Sequence, residues 1–391
     1  VSMRADGSLT PLCPVAHSAF PCLGTASTQL GRKGIAMRGV QQSEDIQMEN
    51  IDGGRRTFCG AAVAFAAMPF GIVSASSRAA AKTPKPVQPK LAATFAPIKQ
   101  ARTELLNIGY AEAGPANGPV VILLHGWPYD IHSFVEVAPI LAGEGYRVIV
   151  PYLRGFGDTR FLSADTMRNG EPAVLAQDLI DLLDALKIER ALLGAFDIGG
   201  RTADIVAALS PGRVRGLVAV SGYLISSQES NKQPLPPDAE YQWWYQFYFA
   251  TERGRLGYEK NTRAFNKLIW KLASPQWHFD DATFDRTAAS FDNPDHVAIV
   301  IHNYRWRLGL AEGETRYADV ERKLASNPAI TVPTITMEGD ANGAPHPPPE
   351  AYRARFTGRY EHRTIRGGIG HNLPQEAPRD FAQAVMDVAS R

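Results

Sequence analysis

The stretch that most constrains this chain is Leu192-Leu193-Gly194-Ala195-Phe196-Asp197-Ile198-Gly199-Gly200-Arg201. An apolar run ends in a small–any–Asp–any–Gly–Gly pattern, and a helix-like segment, residues 202–209, follows at once. That is the pattern of a sharp strand-to-helix turn that holds one side chain out at its tip. Ala195, Gly199 and Gly200 are small enough for the two backbones to pass closely around the tip. The tip is Asp197. A carboxylate needs no base to deprotonate it near neutrality. It attacks saturated carbon or an epoxide by displacement and leaves an enzyme ester. The plainer alternative is an Asp that caps the following helix.

The chain on either side alternates strand and helix. Residues 120–124 are a short apolar, β-branched run that reads as a buried strand and leads into His125-Gly126-Trp127-Pro128. A backbone N–H just after such a strand can face developing negative charge, so the Trp127 and Ile198 amides are the candidate oxyanion hole. His125 reads as a structural histidine supporting the turn. Helices are predicted at 134–141 and 174–186, the second with Leu175, Leu179, Leu182 and Leu186 on one face. Strands are predicted at 146–150, 191–196 and 216–220. This spacing predicts a parallel sheet covered on both faces. From 226 to 325 the buried-strand signals stop and aromatics abound. Helices at 241–252, 262–272 and 295–308 predict an inserted cap. Alternation resumes with a strand at 330–337, the loop 338–343, a strand at 360–365, Gly368-Ile369-Gly370-His371 and a closing helix at 377–388.

The order nucleophile, acid loop, histidine is that of α/β-hydrolases. With Asp at the elbow, His-Gly-x-Pro upstream and Gly-x-Gly-His near the end, residues from about 104 to 390 resemble the epoxide hydrolase and dehalogenase branch of that superfamily. The resemblance implies an α/β-hydrolase fold: a mostly parallel sheet with helices on both faces and a helical cap. Tyr245-Gln246-Phe247-Tyr248-Phe249 resembles the cap segment whose first tyrosine protonates the epoxide oxygen. Asn303-Tyr304-Arg305 is similar to the segment carrying the second such tyrosine. The chemistry needs these donors, because ring opening at neutral pH otherwise leaves an alkoxide. Trp244 and Tyr248 read as pocket wall, with Tyr248 the nearest rival donor. The remaining cap aromatics read as packing. His371, after a Gly-rich turn, is placed to activate the water that cleaves the ester on Asp197. His278, His296, His302 and His346 read as cap or loop surface.

The chain departs from the pattern in three places. Asn342 stands where relatives have the orienting acid, and Asp340 is the nearest carboxylate in the same loop. One strand earlier, the other place for an acid, the chain has Ser221-Gly222. The acid role is left between Asp340 and Asn342, with Asp340 slightly favoured. Ile198 replaces the halide-holding Trp of haloalkane dehalogenases. Arg201 keeps one of the two arginines by which fluoroacetate dehalogenases hold a carboxylate.

The expected function is hydrolysis of an epoxide to a diol through a covalent Asp ester. The alternatives are dehalogenation of a small haloacid and ligand binding with little turnover. No His/Cys/Asp/Glu cluster has metal-ligand spacing, and no cofactor beyond water is expected. The partner is a small molecule. With 41 basic and 40 acidic residues, nothing suggests a nucleic-acid surface. A homodimer is compatible with the sequence.

Residues 1–81 read as an extension carrying an export signal. Gly54-Arg55-Arg56-Thr57-Phe58 precedes an uncharged, Ala-rich run to residue 77, which resembles a twin-arginine leader, with Met48 as its start. Pro69 and Gly71 argue against a stable membrane span. The expected destination is the periplasm or the exterior. Cys13, Cys22 and Cys59 all precede the expected cleavage point, so the mature chain would hold no disulfide. The expected layout is a linker at 82–100, the hydrolase core at 101–225 and 326–391, and the cap at 226–325.

Overall fold

The computed structural model describes residues 94–390. The export segment, the three cysteines and most of the linker lie outside the described residues. The nine strands are β1 (Lys99–Arg102), β2 (Leu106–Ala113), β3 (Val120–Leu124), β4 (Arg147–Pro151), β5 (Arg160–Phe161), β6 (Ala191–Ala195), β7 (Val214–Val220), β8 (Thr334–Gly339) and β9 (Tyr360–Ile365). They form one sheet in the order β1-β2-β4-β3-β6-β7-β8-β9, with β5 beside β2. Pairing is antiparallel at β1–β2, β2–β4 and β2–β5. It is parallel from β4 through β9. The central strands are apolar runs buried along nearly their whole length, because helices cover both faces of a parallel sheet. The edge strand β9 is only half-buried and carries Glu361 and Arg363, as edges that avoid further pairing do.

The core helices are α1 (Val137–Gly143), α2 (Pro172–Ala185) and α3 (Asp197–Leu209). The cap contributes α4 (Gln228–Asn231), α5 (Pro237–Gln242), α6 (Trp244–Ala250), α7 (Glu252–Ala273), α8 (Asp281–Ala288), α9 (His296–Arg307) and α10 (Ala318–Ala325). The chain closes with α11 (Pro349–Tyr352), α12 (Leu373–Glu376) and α13 (Pro378–Ala389). α2 packs on α3, and α1 on α13. Among the described residues no helix is long and apolar enough to cross a membrane.

Several boundaries differ from the sequence expectation. Lys99 and Gln100, assigned to the linker, pair with Tyr110 and Gly109 in the sheet. β8 begins at Thr334 and not at 330, because Pro333 has no N–H for the ladder; Ile330 makes an isolated bridge to Phe356. A short turn, Ile131–Phe134, capped by Asp130, takes the start of the first predicted helix. The 241–252 helix is broken into α5 and α6. Thr251 then caps α7 by accepting from the Gly254 N–H at 2.9 Å. α7 runs ten residues further toward the N-terminus than the predicted 262–272 and bends at Asn261 (φ −129°, ψ 25°).

Register brings the functional loops together. Leu124 lies opposite Ala195, Ala195 opposite Ala219, and Val220 opposite Met337. The loops leaving β3, β6, β7 and β8 therefore share one edge, the carboxyl ends of parallel strands where ligands bind. At β6 the chain turns through Phe196 (φ −145°, ψ 158°) into Asp197, whose φ is +53°. An L-residue rarely adopts that conformation, and its cost is offset by the packing around it.

Gly199 is required there by contact. A Cβ at this position would overlap the carbonyl oxygens of Leu124 and His125. Gly199→Ala should lower the unfolding free energy by about 1–3 kcal/mol, as overpacking does. Urea unfolding would measure it, and a parental midpoint would contradict this account of the turn.

Candidate active site

The turn aims the Asp197 carboxylate at two backbone donors. Trp127 N–H donates to Asp197 Oδ1 at 2.8 Å, and the neighbouring Ile198 N–H also favours the charged carboxylate. Burial raises the cost of its charge, but His371 and these two amides outweigh it and hold the carboxyl below its usual range. Gly126 makes room, since a Cβ there would collide with Asp197. His125 is fully buried behind the loop. The Leu153 N–H donates to its Nε2 at 3.1 Å, so Nδ1 carries the proton and donates to Gly126 O at 2.9 Å. Burial lowers its pKa, and it is a neutral strut.

His371 sits between Asp197 and Asn342. Nε2 lies 3.3 Å from Asp197 Oδ2, and Nδ1 lies 3.2 Å from Asn342 Oδ1. The Asn342 amide has a defined orientation, because the Ala344 N–H donates to the same Oδ1 at 2.9 Å. Nδ1 of His371 must then carry a proton, which leaves Nε2 to face Asp197. Burial opposes charge on the imidazole, yet Asp197, Glu338 and Glu376 raise its pKa above the ordinary value. Ser274 holds the loop. Its Oγ accepts from the His371 N–H at 2.9 Å and donates to Glu376 Oε1 at 2.7 Å.

The slightly favoured acid, Asp340, does not meet His371. Its exposed carboxylate accepts from the N–H groups of Gly367, Gly368 and Ile369 at 2.9–3.0 Å. It clasps the turn that delivers His371, while Asn342, two residues on, faces the ring.

The cap supplies an aromatic wall. The Trp127 ring lies 5.3 Å from Tyr245 and 5.2 Å from Tyr304, whose own rings stand 5.4 Å apart and perpendicular. Burial and the charge of Asp197 push the Tyr245 hydroxyl pKa up; for Tyr304, burial, Tyr245 and Asp197 do so. Both phenols are therefore held in the protonated, donating form. Trp244 and Tyr248 pack beside them, Trp244 edge-on to Tyr245 at 6.2 Å. Trp244 meets Phe265 at 5.5 Å, and Tyr248 stacks on Phe265 with its hydroxyl against Gly257. Arg201, one turn along α3, donates from Nε to Leu224 O at 3.1 Å, and its Nη1 is buried with no partner among the described residues. Burial and then the charge of Arg307 lower its pKa to about 10. Among the described residues no group of three or more His, Cys, Asp or Glu could hold a metal ion.

Three hydrogen bonds tie the cap to the loop after β3. Trp127 Nε1 donates to Tyr258 Oη at 2.9 Å, Trp270 Nε1 to Pro128 O at 2.8 Å, and Thr287 Oγ1 to Asp130 Oδ1 at 2.9 Å. Tyr258 Oη in turn lies 2.9 Å from His296 Nε2, whose Nδ1 is 3.0 Å from Gly155 O. His296, expected on the surface, is fully buried. No local pattern in α9 distinguishes it; only the tertiary partners do. Ser274, Glu338 and Glu376 were likewise missed.

Residues 119–255 match the family model described as alpha/beta hydrolase fold. Epoxide hydrolase B of Mycobacterium tuberculosis is 31% identical over 150 residues, which are 35% of this chain and 41% of that protein. A fluoroacetate dehalogenase from a Burkholderia species is 36% identical over 105 residues, 27% of this chain and 34% of its own. The chain thus spans less than half the length of these curated relatives. The crystal structure of a candidate epoxide hydrolase from Klebsiella pneumoniae is 62% identical with a TM-score of 0.76, covering 77% of this chain and 100% of that one.

Burial lowers the pKa of His296 to about 4, from an ordinary 6.5. Between those values the unfolded chain binds a proton that the folded chain refuses. This residue's support is therefore full above pH 6.5 and declines as pH falls toward 4, by up to about 3 kcal/mol. Unfolding free energies measured across this window should fall on acidification. His296→Gln, which does not titrate, should flatten the slope.

Proposed function

The chain belongs to the epoxide hydrolase branch of the α/β-hydrolase superfamily, and from that footing we propose that it opens an epoxide to a diol through an ester on Asp197. The observation that carries the reading is the pair of cap tyrosines, Tyr245 and Tyr304, packed against the ring of Trp127, whose backbone N–H holds the elbow carboxylate. Asp197 Oδ1 is engaged by the Trp127 amide, so Oδ2 is the attacking oxygen. It forms a bond to the less hindered ring carbon as that carbon's bond to oxygen breaks. Tyr245 or Tyr304 protonates the departing oxygen. Ester formation cancels the Asp197 charge that favours a proton on His371, so the imidazole becomes a better base when one is needed. His371 Nε2 then takes a proton from water, which attacks the ester carbon. The oxyanion on Oδ1 faces the Trp127 and Ile198 amides. Collapse breaks the bond from that carbon to Oδ2, which leaves in the diol with the proton held by His371. The proton left on the new Asp197 carboxyl returns to the tyrosinate.

A second reading, dehalogenation of a small haloacid, is favoured by the unpartnered Nη1 of Arg201 with Arg307 as a neighbouring cation. A substrate carboxylate would suit these two groups. A panel of styrene-type and aliphatic epoxides beside fluoro- and chloroacetate separates the readings by diol or halide released. Tight binding without either product would favour a ligand-binding role. The adjacent Arg55 and Arg56 support export in the folded state. Changing both to Lys should hold the protein in the cytoplasm, as fractionation would report.

Asp197→Ala should abolish turnover. His371→Gln should let the ester form and trap it, seen by mass spectrometry as an adduct on the elbow peptide. Unmodified protein beside an active parent would reject the two-step route. Tyr245→Phe and Tyr304→Phe should each slow ester formation, and losing both donors should cost about 10²–10⁴-fold in single-turnover rate. A double variant with parental epoxide activity would remove the tyrosines from the mechanism.

A further inference from the structure

We propose that Glu338 is a positioning residue that supplies, through the side-chain amide of Asn342, the negative charge that no carboxylate presents directly to His371. The inference rests on the role given to His371 above. Glu338 stands at the end of β8, one residue before its last. Its Oε1 accepts from Asn342 Nδ2 at 2.7 Å and from the Gly339 N–H at 3.2 Å. The other end of the amide, Oδ1, receives the His371 Nδ1–H. Donation from Ala344 fixes Oδ1 on the histidine side, and a carboxylate acceptor requires Nδ2 on the Glu338 side. The two ends agree, so the series carboxylate, amide, imidazole runs in one sense. Bonds in such a series polarise one another.

Glu338 is otherwise hard to account for. It is 8% exposed, beside Met337 and one turn of the pleat from Thr336, both fully buried. A buried carboxylate is costly unless it is paired. Among the described residues His346 Nε2 lies 3.8 Å from its Oε2, and no Lys or Arg pairs with it. Glu338 lines a cleft of about 500 Å³ together with Asp340, Asn342, His346, Glu350 and His362. The other carboxylate near His371, Glu376, is engaged by Ser274 Oγ and the N–H groups of Gly370 and Asn372 and serves the loop backbone. Asp197 faces the opposite nitrogen and loses its charge in the ester. During ester hydrolysis Nε2 takes the proton of water and Nδ1 keeps its own. Glu338 accepts no proton, and its charge stabilises the imidazolium through the amide. Asn342 cannot simply be a second carboxylate, since it would meet Glu338 at 2.7 Å with like charge.

Glu338→Gln keeps the size and the acceptor for Asn342 Nδ2 but removes the charge. Single-turnover kinetics with styrene oxide, followed by mass spectrometry, resolve ester formation from ester hydrolysis. Hydrolysis should slow on the order of 10–100-fold, by analogy with the loss of a partner behind a metal-bound histidine. Ester formation should hold its parental rate, so adduct should accumulate. The histidine NMR titration of the full chain should place His371 lower in Glu338→Gln than in the parent. The double change Glu338→Gln, Asn342→Asp moves the charge one group closer to the ring with the donor reversed. It should recover parental hydrolysis, whereas Asn342→Asp alone should not. The double variant also carries the test if Glu338→Gln does not fold, and slow hydrolysis in it would then count against the proposal. Parental hydrolysis and parental His371 titration in Glu338→Gln would overturn it. So would equal loss in both steps with an unshifted titration, the mark of a structural role only. Failure of the underlying reading would show separately, as no adduct in either the parent or His371→Gln. The titration, which needs no substrate, would still decide the role of Glu338.

Discussion

The structure depends on a close approach at one turn. β6 must deliver Asp197 with φ +53° against the loop after β3. It can do so because Gly126 and Gly199 have no side chains where the two backbones meet. The hydrogen bond from the Trp127 N–H to Asp197 Oδ1 results from that approach. The same geometry fixes the parallel register of β3 with β6, which sets the carboxyl edge where β7 and β8 add their loops. A carboxylate is thereby stripped of part of its water and offered backbone donors in exchange, and its negative charge becomes the reference to which His371 and the two tyrosines respond.

Much of the fold was legible because buried parallel strands are apolar runs with little else to say. The runs at β3, β6 and β7 stand out for that reason. β1 was not legible: Lys99-Gln100-Ala101-Arg102 is a polar edge segment whose strand character comes from β2 alone. The gathering of Asp197, Trp127, His371, Tyr245 and Tyr304 could be anticipated, since each sits in a short pattern with its own turn or cap context. The partner of His371 could not. Asp340 and Asn342 are two residues apart in one loop, and only the fold decides that one clasps the Gly367–369 turn while the other faces the imidazole. Glu338 and His296 lie inside regular elements, where nothing local separates a functional group from an ordinary one.

Charge in the site is arranged in layers. The inner layer is Asp197 and His371, with Nε2 3.3 Å from Oδ2. Behind the imidazole come a neutral amide and then a carboxylate at the margin of an open cleft. This order keeps the carboxylate close enough to matter and near enough to water to be tolerated. On α3, Nη1 of Arg201 is buried with no partner among the described residues.

Trp127 has two duties that are usually separate. Its backbone N–H serves the Asp197 carboxylate, and its indole N–H is bound to Tyr258 of the cap. With Trp270 on Pro128 and Thr287 on Asp130, the cap is stitched to the very loop that forms the anion-binding wall. A cap fastened there cannot swing away as a lid while leaving the chemistry assembled beneath it. Under the proposed chemistry, substrate and product would then pass at the rim of the cap with the roof in place. The cap is in that sense a fixed ceiling over the Asp197 turn.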